Sequence, residues 1–288
     1  MKTASSSNFS MEDKLVVITG PTSGIGKEIA LQLASLGANL ILACRDVEKG
    51  KHLVEEIEVN TGSKKCEVMH IDTSSQSSIH EFVNQFQKKH NSLDVLINNA
   101  GINQPQKQLS VDDIELTFAT NVLGYYLLAL GLLDLLKENR SARIINTAST
   151  FASDLDLTDL QFDRRPYDGR KAYAQSKACD RLLTWAFARR LEGSQVAINA
   201  FAPGLVLQTG LYRDVPSSTM FIMRLVSKFF GRSPSDAADT AVWLASSPEV
   251  EGISGQFFDQ RKQIPCKFRN KEAEEELWRI CERLTRIS

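Results

Sequence analysis

Two residue sets in this 288-residue chain have the types and spacing to do chemistry. The first is Tyr173-Ala174-Gln175-Ser176-Lys177, in a segment patterned as a helix, where residues four apart share a face. A tyrosine with a pKa near 10 exchanges protons poorly at neutral pH, and a close ammonium lowers it by ~1–3 units. Tyr173 and Lys177 therefore form a candidate acid/base pair. Ser149, just past a β-rich run, offers a hydroxyl to hold a carbonyl oxygen; standing alone it reads as a helix or turn cap. The second set is Thr19-Gly20-Pro21-Thr22-Ser23-Gly24-Ile25-Gly26, with a β-rich run before it and a helical pattern after it. Its glycines permit a tight turn and let the backbone approach a pyrophosphate at the positive end of the helix. The spacing Gly-x-x-x-Gly-x-Gly differs from the common Gly-x-Gly-x-x-Gly fingerprint, and a purely structural turn is the alternative reading. Gly20, Thr22, Ser23, Gly24, Ile25 and Gly26 are the candidate phosphate cradle.

The ends of the next runs add candidates. The second run ends in Ala43-Cys44-Arg45-Asp46. An acidic residue there suits a ribose 2′-hydroxyl, an arginine a 2′-phosphate. Asp46 has an ordinary role as the N-cap of the following helix and Arg45 has none. Arg45 is therefore assigned to the phosphate, which makes NADP(H) the expected cofactor and NAD(H) the second choice. Ile71-Asp72-Thr73 ends the third run, where Asp72 either receives an adenine amino group or caps the helix over 74–90. Asn98-Asn99-Ala100-Gly101 ends the fourth, a turn signal placed beside the first strand, with Asn98 and Ala100 as cofactor candidates.

Positioning these residues requires a sheet. Apolar runs at 14–19 (KLVVIT), 38–43 (ANLILA), 66–71 (CEVMHI), 93–98 (LDVLIN), 142–147 (ARIINT), 195–200 (QVAINA) and 255–259 (GQFFD) alternate with amphipathic segments such as 24–36 and 48–59. That alternation predicts an α/β fold: a single doubly wound parallel sheet, Rossmann-type, with helices on both faces. Ligands then bind at the carboxyl ends of the strands. No linker divides the chain, so 13–288 is read as one domain after a flexible tail at 1–12. With 34 basic against 35 acidic residues, no basic stripe suggests nucleic acid. Five scattered cysteines without a Cys-x-x-Cys pair argue against a disulfide scaffold and for a reducing compartment. Four histidines without a His-Glu-x-x-His pattern give no metal site, and no Gly-x-Ser-x-Gly elbow suggests a hydrolase. The polar N-terminus resembles no signal peptide, and the longest apolar stretch, 122–133, falls short of the ~20 residues needed to span a bilayer. A cytoplasmic protein is expected.

Taken together, the glycine pattern, 98–101, Asn121 in Thr120-Asn121-Val122, Ser149, Tyr173 with Lys177, and Pro203-Gly204 resemble the short-chain dehydrogenase/reductase family over roughly 13–288. Ala43-Cys44-Arg45-Asp46, the long interval from Ser149 to Tyr173 and the tail with Leu277-Trp278 are similar to its retinol dehydrogenase-like branch. The resemblance implies that Tyr173 exchanges a proton with the substrate oxygen and Ser149 positions that oxygen. It implies that Lys177 holds the nicotinamide ribose and lowers the tyrosine pKa, with Asn121 supporting a water relay to it. It also adds Pro203 and Gly204 to the cofactor set and places a substrate lid at about 205–232. Within that lid, 220–230 (MFIMRLVSKFF) suits a lipophilic carbonyl or alcohol, ordinary helix packing, or contact with a membrane surface. The helix at about 271–286, with Glu274-Glu275-Glu276, reads as a packed amphipathic helix with a solvated face rather than a partner site. Segments near 112–137 and 173–191 often pair subunits in this family, so a monomer or a homodimer is expected. Three departures stand out: the branch's common transmembrane N-terminal helix has no counterpart, Ala148 replaces a frequent serine, and Gln208 replaces the usual threonine, with Thr209 one step late. Residues 204–213 also resemble the light-dependent protochlorophyllide reductases, except that Leu205 stands where those have a cysteine. The expected function is hydride transfer between NADP(H) and a lipophilic aldehyde, ketone or alcohol. The rivals are a catalytically silent NADP(H)-binding sensor or scaffold, protochlorophyllide reductase-like activity, and non-redox epimerase or dehydratase chemistry.

Overall fold

Runs of Val, Ile and Leu that point to both faces of a strand are stable only between two helical layers. The computed structural model describes residues 9–153, 155–206, 231–266 and 269–285, and it places the apolar runs at the centre of one sheet. The strands are β1 (Leu15–Thr19), β2 (Asn39–Cys44), β3 (Cys66–His70), β4 (Val95–Asn98), β5 (Ala142–Thr147), β6 (Val196–Ala202), β7 (Phe257–Asp259) and β8 (Lys262–Gln263). Their order is β3-β2-β1-β4-β5-β6-β7-β8, parallel throughout except for the antiparallel β7–β8 hairpin. Chain direction across the sheet reverses between β1 and β4, the crevice where such folds bind ligands.

All seven expected strands form. The helices are α1 (Gly24–Ser35), α2 (Val47–Thr61), α3 (Gln76–Lys89), the single turn α4 (Leu116–Phe118), α5 (Gly124–Gly131), α6 (Leu133–Lys137), α7 (Gly169–Arg190), α8 (Pro234–Ser246) and α9 (Lys271–Thr285). The apolar stretch at 122–133 is not one helix. A π-helical segment, Ala119–Leu123, leads into α5, and α6 follows. Met11, within the expected tail, is 3% exposed and its amide donates to Leu36 O at 2.8 Å.

Two apolar layers flank the sheet, one around Phe82, Phe86, Tyr126 and Trp185, the other around Ile29, Leu33 and Trp243. In the first layer α9 docks on α7. Trp278 sits edge-on to Tyr126 and Phe187, at 5.0 and 4.8 Å between ring centroids, under the Arg190 guanidinium at 3.9 Å. This helix packs as expected, with Lys271, Glu272 and Arg279 exposed, but two glutamates of its acidic run turn toward α7. Glu274 is buried against Arg189, and Glu275 pairs with Arg190 at 2.6 Å; the cations on α7 recruit both carboxylates. No helix among the described residues is long and apolar enough to cross a membrane.

Candidate active site

The glycine loop links β1 to α1. Gly20 and Gly24 take φ of +63° and +54°, where a side chain would be strained. A Cβ on Gly20 would lie 2.9 Å from Ala100 Cα, and one on Gly26 would meet Gly20 O and, at 2.5 Å, Asn99 Nδ2. The loop is therefore closed down on the turn after β4. Two residues that the spacing argument passed over hold it there. Thr19 Oγ1 accepts from the amides of Asn99 and Ala100 at 2.9 and 3.0 Å, and Asn99 Nδ2 donates to Thr19 O and Gly20 O at 3.0 and 3.1 Å. Asn98 points elsewhere: it is fully buried and donates to Asn146 Oδ1 on the neighbouring strand at 2.9 Å, so its side chain braces β4 against β5.

A dinucleotide phosphate fits this cradle. Ser23 precedes α1 with extended backbone, its side chain caps no amide, and no acidic residue stands in the first turn. The first-turn amides have no intrahelical acceptor, and the positive end of the helix dipole is uncompensated. Thr22 and Ile25 are half-buried in the loop and Ser23 is exposed.

The strand ends beyond the loop divide their roles. Asp46 caps α2, accepting from the Lys49 amide at 3.0 Å and pairing with Lys49 Nζ at 2.8 Å. Arg45, beside it, is exposed and makes no ion pair with the described residues. Asp72 does not cap the following helix. Its Oδ1 closes a local turn, accepting from Ser74 N at 2.9 Å and Ser74 Oγ at 2.7 Å, while Ser75 caps α3. Thr73 is buried beneath α5, where Gly124 leaves room for its carbonyl. Pro203 is buried after β6, and Gly204, with φ of +78°, lies against the Arg232 side chain, which pairs with Asp259 at 2.6 Å. Gln208, Thr209 and most of the expected lid, including 220–230, lie outside the described residues.

The second residue set converges at the ends of β5 and α7. Tyr173 and Lys177 share one face of α7, whose N-cap Asp168 accepts from the amides of Arg170 and Lys171. Ser149, just past β5, stands near enough to the Tyr173 phenol to favour its ionised form, and its Oγ accepts from the Phe151 amide at 3.0 Å. Asn121 lies in the π-helical segment and braces the group: Oδ1 accepts from Ile102 N at 2.9 Å, and Nδ2 donates to Ile102 O and Ser176 Oγ. Such segments recur at functional sites because the extra residue re-aims a side chain.

Burial and the Asp180 carboxylate hold the Tyr173 phenol above its ordinary value of 10, with the nearby Ser149 hydroxyl opposing them. Lys177 Nζ donates to Asp180 Oδ2 and to Thr147 O, both at 2.8 Å, inside a compartment that leaves the two side chains 4% and 0% exposed. Burial alone would depress the ammonium, yet the Asp180 carboxylate holds it above 10.5. Burial in turn pushes the Asp180 carboxyl up to about 6, against the attraction of Lys177. Asp180 is a site residue that the sequence reading missed; its spacing from Lys177, three residues along one helix, is the signal that could have found it.

The arrangement offers a phenol beside a hydroxyl, a buried ammonium behind them, and an anion cradle across the crevice. Among the described residues no group of His, Cys, Asp and Glu is arranged to hold a metal. Comparison with known proteins is in keeping with this layout. Residues 14–219 match the short chain dehydrogenase family. Human retinol dehydrogenase 13 is 38% identical over 275 residues, covering 94% of this chain and 82% of that protein. Human polyprenol dehydrogenase is 35% identical over 281 residues, covering 94% and 84%. A solved structure from Mycobacterium Paratuberculosis shares 28% identity at a TM-score of 0.74, covering 97% of this chain and 96% of that one. Another, from Beutenbergia cavernae with NADP bound at low occupancy, shares 26% at a TM-score of 0.71, covering 88% and 97%. The chain belongs to the short-chain dehydrogenase/reductase family, on its retinol dehydrogenase-like branch, and is an oxidoreductase acting on CH–OH and C=O groups.

Proposed function

We propose that this protein uses NADP(H) to interconvert a lipophilic aldehyde or ketone and its alcohol, with Tyr173 as the acid/base. The observation that carries the reading is the convergence of Ser149, Tyr173 and buried Lys177 across the crevice from an uncapped helix N-terminus behind a glycine loop. The glycine loop and Thr22, Ser23 and Ile25 would hold the pyrophosphate, Arg45 the 2′-phosphate, Asp72 and Thr73 the adenine side, and Ala100, Pro203 and Gly204 the nicotinamide side. When bound, the nicotinamide supplies or accepts the hydride at the substrate carbon.

In reduction, Ser149 donates a hydrogen bond to the carbonyl oxygen, and Tyr173 gives its phenolic proton to that oxygen as the carbon takes up two electrons. Oxidation reverses the proton transfer. Lys177 has three donors, two of them engaged with Asp180 and Thr147, which leaves one for a ribose hydroxyl. Asn121 Nδ2 has both protons committed to Ile102 O and Ser176 Oγ, while its Oδ1, which accepts from Ile102 N, keeps a second lone pair for a water that would relay to Lys177. Support for a lipophilic substrate comes from the retinol and polyprenol dehydrogenases among the relatives and from Phe151, 60% exposed two residues past Ser149. Support for NADP(H) comes from the engagement of Asp46 by Lys49, which leaves Arg45 as the charged group at the end of β2.

Tyr173→Phe tests the reading. It should keep the fold and NADPH affinity and lose turnover of long-chain and polyene aldehydes by about a hundred- to ten-thousandfold, the usual range for general acid catalysis. A rate within a few fold of the unaltered chain would overturn it.

A further inference from the structure

Asp180 has no part in the chemistry just described, and it stands where it can govern that chemistry. Tyr173, Lys177 and Asp180 follow one another at i, i+4 and i+7 along one face of α7. One Asp180 oxygen accepts from Lys177 Nζ at 2.8 Å, and the other has no hydrogen-bond partner among the described residues. A fully buried carboxylate with one oxygen unsatisfied is costly, and a well-packed apolar residue would fill such a place at less cost. Lys177 Nζ lies 5.9 Å from the centroid of the Tyr173 ring. At that separation an unopposed ammonium draws a phenol toward ionisation, whereas the pair presents Tyr173 with a dipole of no net charge.

Building on the function proposed above, we propose that Asp180 is a positioning residue: it anchors the Lys177 ammonium against Thr147 and cancels its charge at Tyr173, so that the phenol keeps its proton and enters the reaction as a donor. The other groups around the trio leave this balance in place. Tyr125 of α5 faces Lys177, with its ring centroid 5.4 Å from Nζ, and burial keeps its phenol protonated. Cys179 of α7 and Cys281 of α9 feel Asp180, and burial holds both as neutral thiols. Arg181, next in the chain, directs its guanidinium to Ser149 O and Cys266 Sγ and lies over Phe257 at 3.8 Å.

The test reads the ionisation of Tyr173 directly, as phenolate absorbance during an alkaline titration. The unaltered chain and Asp180→Asn are each compared with their own Tyr173→Phe counterpart. In the unaltered chain Tyr173 should contribute no phenolate below about pH 10, the ordinary tyrosine value. In Asp180→Asn it should ionise at least about one unit lower, because the ammonium is then unopposed. Coincident curves, or a Tyr173 in the unaltered chain that ionises below about pH 9, would overturn the proposal. Should Asp180→Asn fail to fold, the unaltered chain's curve still decides on that second criterion. The measurement needs no turnover, so an inactive protein would remove the proposed reaction and leave this result readable. Where turnover is present, the alkaline fall of kcat/KM for carbonyl reduction should move down with the phenolate curve.

Discussion

The two halves of the site are built from opposite materials. The cradle between β1 and α1 is made of backbone: two glycines at positive φ, a third with no room for a Cβ, and neutral hydrogen bonds from Asn99 and to Thr19. The proton site between β5 and α7 is made of charge: an ammonium and a carboxylate 2.8 Å apart, both buried, behind a phenol. A backbone site is sensitive to added volume and indifferent to distant charge. A charge site accepts an isosteric change of shape and responds to the loss of one unit of charge. The contrast separates two kinds of damage that a simple activity assay would confuse.

The largest expected effect is the loss of turnover in Tyr173→Phe, which removes one oxygen from the charge site and leaves the cradle untouched. NADPH affinity should stay within about twofold; a variant that lost both would mean that the two halves are one unit. Gly26→Ala breaks the other half. Its methyl group has to displace Gly20 O and Asn99 Nδ2, and overpacking of that kind costs about 1–3 kcal/mol. Affinity for NADPH should fall by about ten- to a hundredfold, 1.4 kcal/mol being a factor of ten. Tyr173 should ionise in Gly26→Ala as it does in the unaltered chain, and a shifted phenolate curve would erase the distinction.

A smaller effect comes from the pH dependence of stability. In the folded chain the Asp180 carboxyl is raised from 3.8 to about 6, so its ionised form is disfavoured by folding. The stability it contributes is fully present below 3.8 and is lost as pH rises through about 6. Relative to Asp180→Asn, the unaltered chain should therefore gain stability as pH falls from about 7 to about 4.5, by on the order of 1–3 kcal/mol. Lys177 titrates far above this window and does not contribute to the change. Urea unfolding of both chains at the two pH values checks the sign. If the stability of the unaltered chain relative to Asp180→Asn stays constant or falls on acidification, Asp180 is not held up by burial.

How far the sequence discloses the molecule follows the same division. The strands are legible because runs such as LVVIT and VLIN can be buried only between two layers, and the cradle is legible because glycine spacing reports backbone shape. The β8 strand is not, since Lys262–Gln263 carries no apolar signal and forms only by closing a hairpin onto β7. The π-helical turn that carries Asn121 is hidden inside an apolar stretch whose composition suits any helix. Tyr173, Ser149 and Lys177 can be picked out by type, but the charge state of the group depends on Asp180, which alone in a sequence is an ordinary polar residue of a long helix. Burial decides its effect, and burial is a property of how α7 packs against the sheet, α5 and α9.

The smallest effect concerns Arg45, the one basic candidate in the cradle half. It stands exposed at the end of β2, and a single exposed cation contributes modestly because water and salt screen it. The neighbouring Asp46 is tied to Lys49 and to the first turn of α2, so its carboxylate is already engaged. NADPH should therefore bind about tenfold more tightly than NADH at one fixed salt concentration. Arg45→Ala should remove most of that preference by weakening NADPH alone, and added salt should erode the preference in the unaltered chain. Asp46→Asn should leave NADH affinity nearly unchanged, because the asparagine oxygen can still cap α2. If instead Asp46→Asn weakens NADH and Arg45→Ala changes neither affinity, the carboxylate reads the ribose despite its bond to Lys49. The cradle would then depend on a charge after all, and the division between a site of shape and a site of charge would fail at its weakest contact.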